Sequence, residues 1–346
     1  MPLALADVAL FLLPWPLSSF SRMALARPPA ADAPPPALRY AEEPVMATFY
    51  EHALLVVSAA WKVLFAAWAY YCCGAVDKAA AAALAPRWVA TVLARDVAVT
   101  WAVGSLWDFL HLHPRSPLYA QLQPHKFKPQ APPPGQVPHD ALFATCTAAI
   151  AAAFEVGLLH LWGRGSLRLA ELPGDAWYAD PATLALLLLL PYLQIVHFFV
   201  THRAMHRWWS ARGQWPDPGQ WLYTHVHSLH HRSRDPTAFS GISMHPVEGA
   251  LFMTTMVGAA LCGAHPIVIL HCKFYNIVVA MLGHESHGDP STGGHSHWLH
   301  HQLVNCNYGG NFVPLDWLLG SYARDENHFE KLQDEAAAAA KAKKAL

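Results

Sequence analysis

Charged residues are scarce in this chain, and their scarcity already narrows the class of protein. Asp, Glu, Lys and Arg make up 14% of its 346 residues, whereas about a quarter is usual for a soluble domain. Hydrophobic residues make up 54% and the mean hydropathy is +0.19. These values favour a membrane protein with a sizeable part in water. The formal net charge is −1, so no basic excess indicates nucleic-acid binding.

Cysteine and regular repeats are also poorly represented. Only six cysteines are present, none in a CxxC pair and most in apolar runs, which indicates buried thiols rather than a disulfide framework. No internal repeat is visible, and no segment alternates well enough to predict a strand. The prediction is an all-α integral membrane helical bundle of about four spans plus a membrane hairpin, with a cytosolic, histidine-rich helical cap.

Four apolar segments are predicted as membrane spans, namely residues 53–76, 97–112, 141–162 and 182–200. The second is the weakest, because it must borrow residues 89–93 across Arg95 and Asp96. The fourth carries no charge at all. It is therefore the clearest span in the sequence.

Residues 249–283 form a further apolar run, in which Lys273 is the only charge. Its length suits two short helices better than one, and Pro266 lies where the chain is predicted to turn back. Residues 201–248 hold five arginines against two in residues 163–181, so the positive-inside bias places residues 201–248 in the cytosol. A hairpin would return the chain to the same side, and the histidines before and after it could share one site.

The chain is predicted to divide into four parts. These are a variable Pro-rich segment at residues 1–45, membrane-anchor helices and loops at 46–181, a catalytic domain at 182–323, and a polar Ala/Lys-rich tail at 324–346. No basic residue precedes the short apolar run near the N-terminus, so a secretory signal is not expected, while a transit peptide is an alternative.

Histidine, by contrast, is abundant: 23 are present, and 16 of them lie between His197 and His301. Three clusters are phased, as one HxxxH and two HxxHH motifs, and residues three and four apart share one face of a helix. Each cluster is therefore predicted to present its imidazoles in one direction. The eight histidines are too many for one tetrahedral ion and predict two metals; they are His202, His206, His227, His230, His231, His297, His300 and His301.

Other residues near these clusters are candidates for the same site. His284 and His287 follow the apolar run directly, while His225, His245 and His295 flank the clusters. A ligand imidazole needs an acceptor for its second ring N–H, and the carboxylates available for that role or as direct ligands are Asp235, Glu248, Glu285, Asp289 and Asp316. The alternative is a solvated histidine-rich loop that binds metal casually, but such loops are of low complexity and these motifs are separated by distinct sequence.

The position of the clusters beside membrane helices makes a lipid the natural substrate. Imidazole suits zinc, copper, nickel and iron, and spacing alone does not choose among them. Hydrolysis would need one open metal site and a base rather than eight histidines. Activation of oxygen needs a redox metal, which favours iron.

The order HxxxH, HxxHH and HxxHH around a membrane hairpin resembles the fatty acid hydroxylase/sterol desaturase superfamily. The resemblance covers roughly residues 191–322. It includes His197-Phe-Phe-Val-Thr-His202-Arg203, Met244-His245-Pro246-Val247-Glu248-Gly249, Asn307-Tyr308-Gly309, and the segment from Leu315-Asp316 to Gly320-Ser321-Tyr322. Within the superfamily these elements look most similar to those of sterol C-5 desaturases.

The resemblance implies a non-haem di-iron centre, O2 as co-substrate, and electrons from cytochrome b5 or a similar carrier. It implies the eight clustered histidines as ligands with His284 and His287 added, and it makes His245, Glu248, Asn307 and Asp316 candidates for supporting them. The segment between His284 and His297 is shorter than in most members. No HPGG-type haem-binding segment is present, so a fused cytochrome b5 domain is not expected.

These expectations combine into a membrane-bound oxidoreductase that desaturates or hydroxylates a lipid, with sterol C-5 desaturation as the leading activity. The alternatives are a fatty acyl or ceramide hydroxylase and, from a different class, a membrane metal transporter. The implied address is the endoplasmic reticulum membrane, with the histidine clusters and the C-terminus cytosolic. Lys343 and Lys344 stand fourth and third from the end, as in a dilysine retrieval signal, although an ordinary helix end would also place lysines there.

Overall fold

The computed structural model describes residues 59–71, 76–128, 130–208, 217–284, 286–288, 293–310 and 313–345. The predicted N-terminal segment and the start of the first predicted span lie outside these residues. Within them the fold is helical, and an isolated bridge between Lys126 and His287 is the one piece of β pairing. The α-helices are α1 (Ala59–Tyr71), α2 (Lys78–Ala82), α3 (Pro86–Leu112), α4 (Tyr119–Leu122), α5 (Gln136–Gly163), α6 (Pro181–Ala204), α7 (Pro218–His225), α8 (Pro246–Met253), α9 (Thr255–Leu261), α10 (Ile267–Gly283), α11 (Gly293–Leu303), α12 (Leu315–Leu318) and α13 (Glu326–Ala345).

Three of the described helices, α3, α5 and α6, are long and apolar enough to cross a membrane. Most of each apolar window lies on the outside of the bundle, with only 22%, 44% and 33% of it buried. The outer surface of α6 carries Leu189, Leu193, Val196 and Val200, all exposed and three or four residues apart. Such a stripe is what a lipid-facing helix requires, so the all-α membrane bundle predicted from composition is confirmed.

Helix α3 begins at Pro86, eleven residues before the start of the predicted span. Arg95 and Asp96 do not interrupt it, because both side chains are paired inside the bundle. Asp96 accepts two hydrogen bonds of 2.7 Å from the ammonium of Lys273 on α10. Glu155 on α5 contacts both Arg95 and Lys273. Two cations and two carboxylates thus neutralise each other where unpaired charge would be costly.

The predicted hairpin is present as α8 and α9 followed by α10. Pro266 precedes the first turn of α10, where its missing N–H costs nothing. The chain leaves the histidine clusters at Glu248 and returns to them at His284. Both arms are shorter than the three long helices.

Helix α5 forms the centre of the bundle. Its buried positions Ala141, Ala144, Ala148 and Ala151 follow the three- and four-residue spacing of one helix face. Small side chains on that face let neighbouring helices approach closely. A short 3₁₀ segment, Ala238–Ile242, packs on α10 in the same way, because a Cβ at Gly241 would lie only 2.3 Å from the carbonyl oxygen of Ala280.

Candidate metal centre

The histidine clusters lie where the long helices end. His202 occupies the last turn of α6, and His206 follows just beyond the end of that helix. The first HxxHH motif forms a 3₁₀ helix, His227–Arg232, and the second lies within α11. His284 stands at the C-cap of α10. Four separate segments of the chain are therefore brought together here.

Nine of the ten predicted ligands form two compact groups. In each group, one candidate ligand atom per residue lies within 4.8 Å of all the others. The first group consists of His202, His206, His227, His231 and His300. The second group consists of His230, His284, His297 and His301. The arrangement could hold two metal ions.

Each HxxHH motif is divided between the two groups, so the prediction that a cluster points in one direction is wrong for these two motifs. It is correct for the HxxxH motif, because His202 and His206 both belong to the first group. His227 and His231 belong to the first group and His230 to the second. In α11 His300 joins the first group, while His301 joins the second. Adjacent residues on an α-helix or 3₁₀ helix point about 100° to 120° apart, which sends the two members of each HH pair to different groups.

The first group is held by hydrogen bonds from the outer ring nitrogens. The Nδ1–H of His202 donates to the carbonyl oxygen of Tyr308 (2.6 Å), and that of His300 donates to the carbonyl oxygen of Cys306 (2.6 Å). The Nδ1–H of His227 donates to the carboxylate of Glu248 (2.7 Å). A neutral imidazole that donates from Nδ1 has only a lone pair at Nε2. These three rings therefore present bare Nε2 atoms to the centre of the group.

These inward nitrogens lie close enough for a cation to bind between them. The Nε2 atoms of His202 and His227 are 2.9 Å apart, although neither carries a proton in this tautomer. Further Nε2 pairs in the group join His231 to His227 at 3.0 Å and His300 to His231 at 3.1 Å. The lone pairs of His202 and His227 repel each other at this distance, whereas a metal ion would accept both. The residues therefore fit a metal.

The second group is held in the same way, by two hydrogen bonds from Nδ1 atoms instead of three. The Nδ1–H of His284 donates to the carbonyl oxygen of Ala280 (2.7 Å), and that of His230 donates to the carbonyl oxygen of Ser243 (3.3 Å). The Nε2 atoms of His284 and His297 approach to 2.7 Å. Both ring nitrogens of His301 are buried without a hydrogen-bond partner among the residues that the structure describes. A metal ion bound by the second group would satisfy one of these two nitrogens.

Burial keeps these imidazoles neutral and able to bind metal at ordinary pH. It lowers the pKa of His230 to about 4. The same cause, reinforced by neighbouring imidazoles, lowers the pKa well below its ordinary value for His206, His227, His231, His297, His300 and His301. Metal ligation needs the unprotonated ring. The lowered pKa values therefore favour the form of these histidines that binds a cation.

Three of the four predicted supporting residues contact a histidine of the first group or the turn that accepts a hydrogen bond from one. Glu248 contacts His227 directly. Asp316 accepts hydrogen bonds from the backbone N–H groups of Tyr308 (2.9 Å) and Gly309 (2.7 Å), and so fixes the turn whose carbonyl oxygen receives His202. Asn307 ties the same turn to Ala323 through two hydrogen bonds, at 2.7 and 2.8 Å.

The fourth supporting candidate and His287 have other positions. His245 is the N-cap of α8, where its Nδ1 accepts from the N–H of Val247 (3.2 Å). The structure does not bring His287 to either group, because its ring packs on that of His111 with 5.1 Å between centroids. Asp235 pairs with Lys126 at 2.8 Å. Glu285 and Asp289 lie outside the described residues.

Asp140 is a functional candidate that sequence reasoning missed. It is fully buried on α5 and accepts hydrogen bonds from the hydroxyls of Ser233 (2.7 Å), Ser240 (2.7 Å) and Ser243 (3.0 Å). The carbonyl oxygen of Ser243 in turn accepts from His230. Asp140 therefore positions the segment that carries His230 of the second group. The three serines lie some hundred residues away in sequence, so no local signal could reveal the contact.

An apolar cavity opens beside the second group. Three of its histidines, His230, His284 and His297, line one part of the wall, and the first group does not contribute. Much of the remaining wall is apolar and includes Phe198 and Phe252. Two carboxamides, Gln194 and Asn276, also line it. A cavity of this kind suits an elongated apolar ligand that reaches the second metal position.

The fold and this centre define a helical membrane protein with two buried histidine groups that could hold metal ions. Residues 187–321 match the fatty acid hydroxylase family. A very-long-chain aldehyde decarbonylase of Oryza sativa subsp. indica is 32% identical over 138 residues, which is 36% of this chain and 47% of that protein. A putative Delta(7)-sterol-C5(6)-desaturase of Arabidopsis thaliana is 27% identical over 139 residues, 38% of this chain and 46% of that protein.

Human cholesterol 25-hydroxylase is 29% identical over 238 residues, 64% of this chain and 80% of that protein. The chain spans about half the length of the rice and Arabidopsis relatives that it matches. No solved structure matches it significantly. The match of residues 187–321 to the fatty acid hydroxylase family agrees with the resemblance that the order of the histidine motifs predicts.

Proposed function

We propose that this protein is a non-haem di-iron oxidoreductase that uses O2 to oxidise a C–H bond of a membrane lipid. The observation that supports it best is the convergence of nine buried histidines in two groups, one of which lines an apolar cavity. Bound iron would supply the redox chemistry that lets O2 attack an unactivated C–H bond.

The protein's own residues would hold the two ions, orient the lipid and shield the reacting carbon from water. The first group would hold one ion and, as it does not line the cavity, would keep it away from the lipid. The second group would hold the other ion at the cavity wall. Phe198 and Phe252 would orient the hydrocarbon and exclude water from the reacting carbon. The position of that carbon then decides between desaturation and hydroxylation.

The metal site can be tested by substitution with a matched control. His300→Ala in the first group and His230→Ala in the second should each abolish turnover and lower the iron content per chain, while membrane insertion persists. His225→Ala is the control, because His225 is exposed and belongs to neither group. Full activity in either ligand variant would contradict the di-iron proposal. Freely exchangeable zinc in place of two retained irons would instead support a metal transporter.

For the substrate we propose a sterol, and for the reaction C-5 desaturation. The motifs around Asn307 and Ser321 and the Arabidopsis relative support this activity. The test is to express the chain in yeast that lacks sterol C-5 desaturase and to profile its lipids. Restoration of the C-5 double bond is the expected result. Unchanged sterols would contradict the proposal.

Side-chain hydroxylation of a sterol is the second candidate. Its support is that the human cholesterol 25-hydroxylase shares the largest part of this chain among the relatives above. The same lipid profile separates the two, because hydroxylation would add a hydroxylated sterol without a new double bond. Hydroxylated fatty acids or ceramides in that profile would instead identify an acyl hydroxylase.

We also propose that cytochrome b5 or a similar carrier is the electron donor. We propose the endoplasmic reticulum membrane as the location of the protein. Both histidine groups and the tail would then be cytosolic. Cysteines placed at exposed Thr224 and Asn327 should react from the same side of sealed vesicles, and one at exposed Ser166 from the other side. Exposed Cys262 must first be replaced. Labelling of Thr224→Cys and Asn327→Cys from opposite sides would contradict the topology.

The dilysine signal has its own test. Changing Lys343 and Lys344 to Ser in a tagged protein should release it from the endoplasmic reticulum. If the doubly substituted protein stays there as tightly as the parent, the two lysines are only the end of α13.

A further inference from the structure

The first histidine group does not line the cavity, so it is open to a different reactant from the lipid. In the proposed reaction, O2 oxidises a C–H bond with two further electrons and two protons, which releases one molecule of water on hydroxylation and two on desaturation. An external one-electron donor must supply these electrons. Because electron transfer slows steeply with distance, the side chains between the first group and the surface determine where electrons can enter.

Three aromatic side chains other than imidazoles contact the first group within the part of the chain that the structure describes. Phe198 stacks on His202 with 4.8 Å between centroids, but it lines the cavity. Tyr308 contacts three of the imidazoles. It is only 4% exposed, and the guanidinium of Arg203 lies over its ring at 4.8 Å. The third is Tyr223, which is half-buried and does not line the cavity.

Tyr223 extends from the first group to the protein surface. It lies on α7, and its ring centroid is 5.4 Å from that of His206, 5.5 Å from that of His231 and 6.2 Å from that of His227. Gln220, three residues earlier on the same face of α7, is exposed. One aromatic ring therefore joins three imidazoles of the first group to the outer side of α7.

The surface near Tyr223 is basic. Residues 201–248 contain five arginines and three carboxylates, and two of those carboxylates are buried. Arg232 and Arg234 are exposed. Burial raises the pKa of the Tyr223 phenol, and the positive charge of Arg234 is close enough to oppose that rise. An acidic partner would therefore be attracted to this part of the surface.

We propose that electrons enter the metal centre at Tyr223 and that the basic docking surface, defined as Tyr223, Arg232 and Arg234, binds an acidic one-electron carrier protein. The proposal rests on the proposed function and adds to it the site of the donor. The carrier would dock and be oxidised twice in each turnover. Tyr223 would shorten the gap that the electron crosses without being oxidised itself, so it is a positioning residue.

Anionic lipid head groups would also be attracted to exposed arginines. A protein carrier is favoured here because Arg234 lies beside a ring that contacts three imidazoles of the first group. A lipid head group bound there would gain nothing from that contact. An electron donor would be brought as close to the first group as the described surface allows.

Docking is tested with the full chain, iron-loaded and metal-free, in phosphatidylcholine nanodiscs. The probe is the soluble haem domain of an acidic cytochrome b5. The double variant Arg232→Gln/Arg234→Gln should bind it about tenfold more weakly at low salt, and the difference should shrink as salt screens the charges. The matched control is Arg164→Gln/Arg168→Gln, which removes two exposed arginines elsewhere and should bind like the parent.

Equal binding by the parent and the Arg232→Gln/Arg234→Gln variant would overturn the docking surface. The lipid alternative has its own signature. If the haem domain does not bind, and the same two substitutions instead weaken binding of the chain to phosphatidylserine vesicles, the arginines serve the membrane surface and the proposal is wrong.

The role of Tyr223 is tested by the rate at which the reduced haem domain passes its electron to the iron-loaded chain. Tyr223→Phe keeps the ring and should stay close to the parent, whereas Tyr223→Leu removes the ring and should be several-fold slower. Each rate is divided by the rate with reduced methyl viologen, a small reductant that needs no docking surface. This ratio corrects for any loss of intact centres. A ratio in Tyr223→Leu equal to that in Tyr223→Phe would overturn the entry point.

Failure of the proposed function would look different. If the haem domain docks and reduces the centre at the rates expected but no lipid is oxidised, the oxidoreductase proposal fails and the entry point stands. If a lipid is oxidised equally fast by the parent and by Tyr223→Leu when the haem domain limits turnover, the entry point fails and the oxidoreductase proposal stands.

Discussion

Replacing Glu248 with alanine should weaken metal binding by the first histidine group. Glu248 is buried at the start of α8, and its carboxylate accepts the Nδ1–H of His227 at 2.7 Å. This bond fixes the tautomer that leaves the Nε2 of His227 free for a metal. Without the carboxylate, a buried ring N–H would have no acceptor, and the tautomer would no longer be determined.

The expected loss of affinity for the first ion is ten- to hundredfold, the range seen when an acceptor behind a metal-bound imidazole is removed. That corresponds to about 1.4 to 2.8 kcal/mol, which agrees with the cost of leaving one buried donor unpaired, about 1–3 kcal/mol. Glu248→Gln should lie between the parent and Glu248→Ala, because an amide oxygen still accepts but the hydrogen bond is no longer charge-assisted.

The assay is iron content per chain after dialysis against a series of chelator concentrations. His245→Ser is the matched control, because it keeps a residue that can cap α8 and His245 contacts no ligand in the described structure. The order of retention should be parent and His245→Ser first, then Glu248→Gln, then Glu248→Ala. If Glu248→Ala retains as much iron as the parent, the tautomer argument is wrong.

Three further predictions concern the surroundings of the centre. Lys273→Met should destabilise the protein by about 3–5 kcal/mol, because it leaves the charges of Asp96 and Glu155 partly uncompensated. The free energy of unfolding in detergent measures this loss, and a change below about 1 kcal/mol would refute the buried-charge argument. Asp140→Ala should lower iron retention by the second group, because it releases the segment that holds His230; parent-like retention would exclude that link. The metal-free protein should lose thermal stability as pH falls through about 6.5 toward 5. Burial keeps the pKa of the histidines below the unfolded value, so the unfolded chain binds more protons in this range. A thermal unfolding midpoint independent of pH would contradict this prediction.

Much of the helical framework could be predicted from local sequence. The uncharged run that becomes α6 and the apolar run broken near Pro266 both follow from hydropathy and proline chemistry alone. The phased histidines could be recognised in the same way, because their spacing is a local property. The division of His230 from His231 could not be predicted, because it depends on where four distant segments stand around each metal position.

Buried polar contacts between helices also could not be predicted from the sequence. In the sequence, the charges of Arg95 and Asp96 indicate an interruption of the second span. In the structure, Glu155 and Lys273 pair with them inside the bundle. His287 has the right spacing from His284, but the chain between them leaves helix α10 at its C-cap, and helical phasing no longer applies. Spacing is informative only while the secondary structure that gives it meaning continues.

The two HH pairs have a consequence for how the centre is assembled. His230-His231 and His300-His301 each supply one imidazole to each group from adjacent backbone positions. An ion that orders one ring of a pair also fixes the backbone that carries the other ring, so the first ion prepares the site of the second. Uptake should therefore be cooperative, with empty and doubly occupied chains both present at half saturation and singly occupied chains rare. Where iron is limiting, the cell would hold fewer fully competent molecules rather than many half-filled ones.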